Sequence, residues 1–225
     1  MLSVVLPIFN EVENIKPLLD DLLEFFTKKN ISFEVLAVND GSTDGTDEIL
    51  RKYVPAKNIR ILEHHRNLGY GAALRSGFEE AWGDLIFFSD SDRQFDIREI
   101  SGFLEKIDKY DFVAGFRKKR QDPWFRLFFA WLFSLASRVF FGIKIRDIDC
   151  AFKLFKSDVL KKMHLSSSGA LINLEIFSSA KKSGYKFLQI PVSHFPRKKG
   201  KQTGGSPKVI IKALRDFFKL WLTQN

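Results

Sequence analysis

Two hydrophobic periods alternate along the first 116 residues. Short apolar runs at 2–8, 33–38, 59–62, 84–89 and 112–116 have the length of strands. Between them lie helical patterns at 13–29, 44–53, 69–82 and 97–107. The clearest is the first, where Ile15, Leu18, Leu19, Leu22, Leu23 and Phe26 share one face. Strand–helix alternation of this kind predicts right-handed βαβ units and a parallel sheet. In such sheets ligands bind beyond the carboxyl ends of the strands. Asn10 and Glu11, the turn from Asp40 to Ser42, and the segment from Ser89 to Gln94 all fall there.

Past residue 116 the pattern changes. A basic run at 116–120 leads into the most apolar stretch of the chain, 123–142, which Arg126 and Arg138 interrupt. Only 11 residues separate these arginines, whereas a membrane span needs ~20, so the stretch reads as an amphipathic helix rather than a crossing. Arg126, Ala130, Ser134, Ser137 and Arg138 gather on about one third of its wheel, and the remainder is Phe, Leu and Trp. A strand at 151–155, a helix at 171–182 and a strand at 186–190 follow. Residues 193–208 form a basic, Gly-containing loop long enough to suggest function. A helix at 208–222 then carries Lys208, Lys212, Arg215 and Lys219 on one stripe, with Val209, Ile210, Leu214, Phe217, Phe218 and Trp221 opposite. The expected organisation is a ligand-binding half at 1–122, a second half at 123–206, and an amphipathic helix at 207–225.

Composition adds constraints. Apolar residues make up 45% and charged residues 28% of 225, which excludes a disordered chain. A single cysteine, Cys150, excludes a disulfide framework and a thiolate zinc cluster and fits a cytoplasmic protein. Met1 enters a strand without a basic leader, so no signal peptide is expected. A net charge of +9 favours anionic partners, and 24 phenylalanines imply either a Phe-rich core or a lipid-facing surface.

The sharpest chemical pattern is Asp90-Ser91-Asp92 with Gln94, directly after the fourth strand. Alternate residues leaving a strand point the same way. Two carboxylates and an amide oxygen therefore converge as ligands for a hard cation, Mg²⁺ or Mn²⁺, shared with a substrate's phosphates. The turn from Asn39 to Thr46 brings glycines for close approach of a ligand, and Asp40 as an acceptor for a ribose or base. The segment Pro7 to Glu11 ends the first strand at the same edge. Arg117 follows the fifth strand, and Arg197 lies in the basic loop; both suit two-pronged phosphate contacts. His64, His65, His164 and His194 have no metal-ligand spacing and read as structural or exposed, and Cys150 as buried and inert.

Six motifs in order, Pro7-x-x-Asn10-Glu11, Asp40-Gly41-Ser42-x-Asp44-Gly45-Thr46, Asn67-x-Gly69-x-Gly71-x-Ala73, Asp90-x-Asp92-x-Gln94, Gly115-x-Arg117 and Asp149-Cys150-x-Phe152-Lys153, resemble family 2 glycosyltransferases. Their spacing looks most like the polyprenol-phosphate branch, which includes dolichol-phosphate mannosyltransferase. The resemblance implies an α/β GT-A fold with a mostly parallel sheet flanked by helices and C-terminal amphipathic helices at a membrane interface. It implies inverting transfer of a hexose, mannose or glucose, from GDP-mannose or UDP-glucose to a polyprenyl or dolichyl phosphate. By motif, Pro7, Phe9, Glu11, Val38 and Asp40 would hold the nucleotide. Asp90 and Ser91 would meet donor phosphates and the metal, Asp92 and Gln94 would ligate Mg²⁺ or Mn²⁺, and Arg117, Arg197 and Lys208 would grip phosphates. The chain departs at Asn39, where the family often has Asp, at Phe116, and in its lengthened basic loop.

Two rivals compete with this reading. One is a soluble family 2 transferase acting on a hydroxyl of a glycan or glycolipid. It is disfavoured because neither the Glu-Asp pair nor the Gln-x-x-Arg-Trp of polysaccharide synthases occurs. The other is a basic module binding nucleic acid, disfavoured because the surplus charge sits in one loop and one helix beside an intact metal–phosphate pattern. Peripheral attachment to the cytoplasmic membrane face is the expected location.

Overall fold

The computed structural model describes residues 1–118, 124–200 and 215–222. Among the described residues, seven strands form one sheet in the order β3-β2-β1-β4-β6-β5-β7. These are β1 (Leu2–Ile8), β2 (Phe33–Asn39), β3 (Ile59–Glu63), β4 (Leu85–Ser89), β5 (Phe112–Arg117), β6 (Phe152–Lys156) and β7 (Phe187–Val192). β1 and β2 are buried throughout, as strands with helices on both faces must be, so their sequences are continuously apolar rather than alternating. β6 alone runs antiparallel to its neighbours, β4 and β5. That reversal is invisible in a five-residue apolar run, which carries no direction. It places β6 between the strand that leads to Asp90 and the strand that leads to Arg117.

The helices are α1 (Ile15–Lys28), α2 (Thr46–Arg51), α3 (Tyr70–Glu80), α4 (Ile100–Leu104), α5 (Trp124–Phe141), α6 (Ser157–Lys162), α7 (Ile172–Lys182) and α8 over 215–222. The expected helix at 97–107 is α4 between two 3-10 turns, Ile97–Glu99 and Ile107–Lys109. Asp96 caps the first turn by accepting the Arg98 N–H, and Gly102 weakens the middle of the segment. α6 is not evident from periodicity because six residues hold fewer than two turns.

One apolar layer fills the space between the sheet and α1, with Leu19, Leu22 and Phe26 against Val4, Leu6 and Phe87. The other lies under α3 and α7 and includes Val5, Phe88, Phe112, Phe155 and Phe177. Phe88 and Phe112 stack on opposite sides of the Phe155 ring, at centroid distances of 6.1 and 5.0 Å. Much of the phenylalanine excess is thus core. Others line α5 and α8, where Phe133, Phe140 and Phe141 meet Phe217 edge-on at 5.3–5.9 Å.

α5 packs Phe133, Ala136 and Phe141 against the core yet leaves a second apolar face outward. Its small polar residue Ser137 is fully buried, while Trp131 is 59% and Val139 69% exposed, joined by exposed Leu132, Leu135 and Arg138. The helix therefore keeps the amphipathicity read from sequence but packs partly through its polar side. The side chain of Arg126, Lys212 and the first turns of the expected terminal helix lie outside the described residues.

Candidate active site

The carboxyl edge of β1 and β2 is laced by short polar side chains that satisfy backbone groups. Asn10, with φ 57°, accepts the Thr43 N–H on its Oδ1, while its own N–H donates to Ser42 Oγ. The Glu11 N–H donates to Thr46 Oγ1, and Val12 N–H to Asp44 Oδ2. Pro7 and Val38 pair directly in the β1–β2 register, which sets two predicted nucleotide residues side by side with Phe9 just beyond. Asp40 is buried. Its Oδ1 accepts the Leu68 N–H at 2.8 Å and faces His64 Nδ1 at 2.7 Å, and its Oδ2 accepts the Gly69 N–H at 2.9 Å. His64 reaches on to Ser76 Oγ at 3.0 Å, which makes it structural, as expected. Gly41 has φ +70°, and a Cβ there would stand 2.5 Å from the Arg66 backbone. Gly69 admits the Ser168 carbonyl in the same way and Gly71 the Ser167 and Gly169 carbonyls, while the Ser168 carbonyl accepts the Gly71 N–H at 2.9 Å.

Asp90 and Asp92 leave β4 at the centre of this edge. Ser91 points down between them and donates to the Pro7 carbonyl at 2.6 Å, tying β4 to β1. Burial first, then the negative charge of Asp92, pushes Asp90 up to about 7. Burial also raises Asp92, opposed by the Gln94 N–H and by Arg197. Two carboxylates that resist ionisation together have the donor chemistry and the unmet charge that a hard cation relieves. Among the described residues no group of three His, Cys, Asp or Glu side chains stands ready for a metal, so a cation here would draw further ligands from Gln94 and from a substrate. Gln94 is also a fastener: its Nε2 donates to the Phe195 carbonyl at 2.8 Å, and its own carbonyl accepts the Phe195 N–H at 2.8 Å.

The arginines converge from opposite sides. Arg197 Nη2 lies 2.7 Å from both oxygens of Glu11, and its Nη1 lies 3.5 Å from Asp92 Oδ2. Burial raises Glu11, while Asn14 and Arg197 hold it down. Arg117 is clamped by Asp147, which accepts from Nε at 2.6 Å and from Nη2 at 2.7 Å, and its charge acts on Asp90. A cleft of about 480 Å³ opens beside Asp92, lined among others by Asn14, Leu18, Phe95, Phe195 and Lys198. A smaller cavity of about 220 Å³ lies between α5 and the segment carrying Asp147 and Asp149, with Trp131, Ser134 and Arg146 at its wall. Lys208 lies outside the described residues.

A second tier beneath the carboxylates carried no assigned role in the sequence. Asp147 is one member, and its signal was a second Asp-x-Asp pattern with Asp149. Lys153, Asn173 and Tyr70 are the others. Lys153 closes the Asp149-Cys150-x-Phe152-Lys153 motif and interrupts an apolar strand, but neither sign gave it a role. Tyr70 has its hydroxyl buried beside Asp90 and Asn173, without a well-formed hydrogen bond to either.

The family model for glycosyl transferase family 2 matches residues 3–178. The chain belongs to this family. Among curated relatives, family 2 members of the polyprenol-phosphate branch are similar to it. The undecaprenyl-phosphate 4-deoxy-4-formamido-L-arabinose transferase of Edwardsiella ictaluri is 31% identical over 212 residues, covering 92% of this chain and 64% of that protein. The dodecaprenyl-phosphate galacturonate synthase of Rhizobium johnstonii is 33% identical over 169 residues, covering 73% of this chain and 50% of that protein. The chain thus spans between half and two thirds of the length of these family 2 relatives. Its fold is GT-A-like. The glucosyl-3-phosphoglycerate synthase of Mycobacterium tuberculosis, solved with Mn²⁺, UDP and glucosyl-3-phosphoglycerate, superposes with a TM-score of 0.71 at 16% identity, over 100% of this chain and 79% of that one.

Proposed function

We propose that this chain transfers one sugar from a nucleotide-sugar to a polyprenyl phosphate at a membrane surface, with inversion at the anomeric carbon. The observation that carries the proposal is the meeting of Asp90 and Asp92 with two guanidinium groups, Arg117 and Arg197, at the carboxyl edge of the sheet. Acids placed for a cation and arginines placed for phosphates suit a reaction with one diphosphate leaving and one phosphate attacking.

Pro7, Phe9, Glu11, Val38 and Asp40 form the floor on which the nucleotide lies. Asp90, Asp92 and Gln94 would hold Mg²⁺ or Mn²⁺, and when bound the ion supplies positive charge to the departing diphosphate. Arg117 offers its remaining N–H groups from an orientation that Asp147 already fixes, so little side-chain freedom is lost on gripping a phosphate. Arg197, held over Glu11 and Asp92, stands ready to exchange those carboxylates for donor oxygens; Lys208 is proposed from the motif alone as a further cation for phosphate. A lipid monophosphate has a second pKa of about 6. It is anionic at neutral pH and attacks without a general base, leaving positioning and charge as the sources of rate.

The outward apolar face of α5 and the neighbouring α8, with exposed Arg138, Arg215 and Lys219, supplies a surface for the lipid interface. Among the described residues no helix is long and apolar enough to cross a membrane. Peripheral attachment on the cytoplasmic face follows from this reading. Mannose or glucose, from GDP-mannose or UDP-glucose, remains the expected cargo. The relatives are named for an arabinose derivative and a galacturonate, so the donor is best found by screening. Purified protein with Mn²⁺, polyprenyl phosphate and a panel of nucleotide-sugars should release nucleoside diphosphate and form a lipid-linked sugar with at least one donor. Transfer to hydroxyl acceptors with none to lipid phosphate would overturn the assignment.

A further inference from the structure

Lys153 is an ammonium group sealed inside the protein. Its relative exposure is 0%. It sits on β6, opposite Phe88 of β4 and Ala114 of β5, and therefore between the two strands that deliver Asp90 and Arg117. Its Nζ donates to three neutral acceptors: the Cys150 carbonyl, the Ile148 carbonyl at 3.3 Å, and Asn173 Oδ1 at 2.7 Å. Above and beside it stand aromatic faces, Phe88 at 5.2 Å and Phe177 at 5.4 Å. A buried charge is solvated by hydrogen bonds at considerable cost, and an apolar side chain here would leave all three acceptors buried without a donor.

The three acceptors explain what the charge does. Ile148 and Cys150 bracket Asp149, and Asp147 immediately before them clamps Arg117. Asn173 opens α7, next to the Tyr70 hydroxyl that faces Asp90. One ammonium therefore ties the segment carrying the Arg117 clamp to the helix beneath the Asp90 carboxylate. We infer that Lys153 is a positioning residue for the transfer reaction, fixing Asp147 and hence Arg117 relative to Asp90 by pinning the 148–150 backbone to Asn173. The inference rests on the proposed function, because it gives Arg117 a phosphate to orient.

The test uses the full chain with Lys153→Met, which keeps length and apolar stem, and Lys153→Gln, which keeps a donor. Three quantities are read: thermal stability, hydrogen exchange of the 147–152 amides, and steady-state transfer to polyprenyl phosphate. Lys153→Met is expected to melt below the parent, because the Ile148 and Cys150 carbonyls and Asn173 Oδ1 lose their donor, and its 147–152 amides should exchange about tenfold faster or more. Its kcat should fall about 100-fold, the scale of a small misplacement of reacting groups, with the donor KM changed less than about threefold. Combined with Arg117→Lys, the loss should be far from additive, since both changes act through one guanidinium. Undiminished kcat in Lys153→Met, unchanged exchange, or a loss that adds fully to that of Arg117→Lys would each overturn the inference. If Lys153→Met does not fold, Lys153→Gln is read by the same criteria, and failure of both to fold would make Lys153 a core residue and overturn it too. A parent protein that transfers nothing, while the variant's amides still loosen, would remove the transferase reading and leave the pinning role standing.

Discussion

On the β1–β2 side of the cleft, geometry is set by backbone. Asn10, Asp40, Ser42, Asp44 and Thr46 spend their short side chains on neighbouring N–H groups, and Gly41, Gly69 and Gly71 permit the approaches that result. On the β5–β7 side, geometry is set by charge. Arg117 is held by Asp147, and Lys153 by carbonyls, with long side chains reaching across elements. The first side is a rigid mould suited to a ligand recognised by shape and main-chain contacts. The second is a set of mutually dependent charges suited to a group that changes charge as it reacts. The two sides meet at Asp90 and Asp92, both raised in proton affinity by burial, with the charge of Asp92 adding to the effect on Asp90.

If that division holds, the largest effect belongs to the meeting point. Asp92→Asn keeps an oxygen for the Gln94 N–H but removes half of the paired charge. Turnover should fall about 100- to 1,000-fold, the usual cost of one preorganised electrostatic group, while the melting temperature stays level or rises. A variant that loses stability along with activity would show the carboxylate to be structural. Next comes the mould. Gly41→Ala forces a Cβ to 2.5 Å from the Arg66 backbone at φ +70°. It should cost about 1–3 kcal/mol of stability, as strained left-handed positions do, read as a drop in unfolding midpoint. An unchanged midpoint would mean that the turn yields, and the contrast between mould and charge network would fail.

These expectations also mark what could be read from the chain directly. The parallel strands, α1 and the Asp90–Gln94 cluster were legible because each is written in contiguous residues: an apolar run, a helical stripe, two acids after a strand. Arg117 was legible as a residue after a strand, but its partner was not, because 30 residues separate it from Asp147. The same holds for Lys153 with Asn173, and for Asp40, whose carboxylate serves the 64–69 loop as well as the edge of the predicted nucleotide floor. Spacing reveals ligands on one element; it cannot reveal which elements the sheet order sets side by side. The antiparallel β6 is the cause in the Lys153 case, since only that strand order lowers the lysine between Asp90 and Arg117. α5 shows a different limit. Its amphipathicity was plain, yet which face turns inward is set by packing against elements distant in sequence, among them Phe217 of α8.

The outward face of α5 and α8 extends the charge side of the comparison to its surroundings. Replacing both Arg215 and Lys219 with Glu should weaken binding to vesicles rich in anionic lipid by about 2 kcal/mol or more, at about 1 kcal/mol per basic residue near the surface. Flotation or co-sedimentation reads the loss. Retained binding, insensitive to salt, would shift the weight to the exposed Trp131, Leu135 and Val139.

The smallest effect is the most discriminating for the carboxylate pair. Asp90 takes up a proton near pH 7 in the folded protein and near the ordinary carboxylate value when unfolded. Between those values the folded state holds more protons than the unfolded one, so this group makes the metal-free protein less stable as pH rises through 7. A divalent ion requires the ionised form, so it must displace that proton at pH 6 but not at pH 8. The stabilisation conferred by a fixed Mn²⁺ concentration should therefore be larger at pH 8 than at pH 6, by up to about 1.4 kcal/mol for one proton displaced across one pH unit below the pKa. Thermal melts with and without Mn²⁺ at the two pH values measure it, and Asp90→Asn should flatten the difference. Equal shifts at both pH values would mean that the ion binds away from the acids of β4.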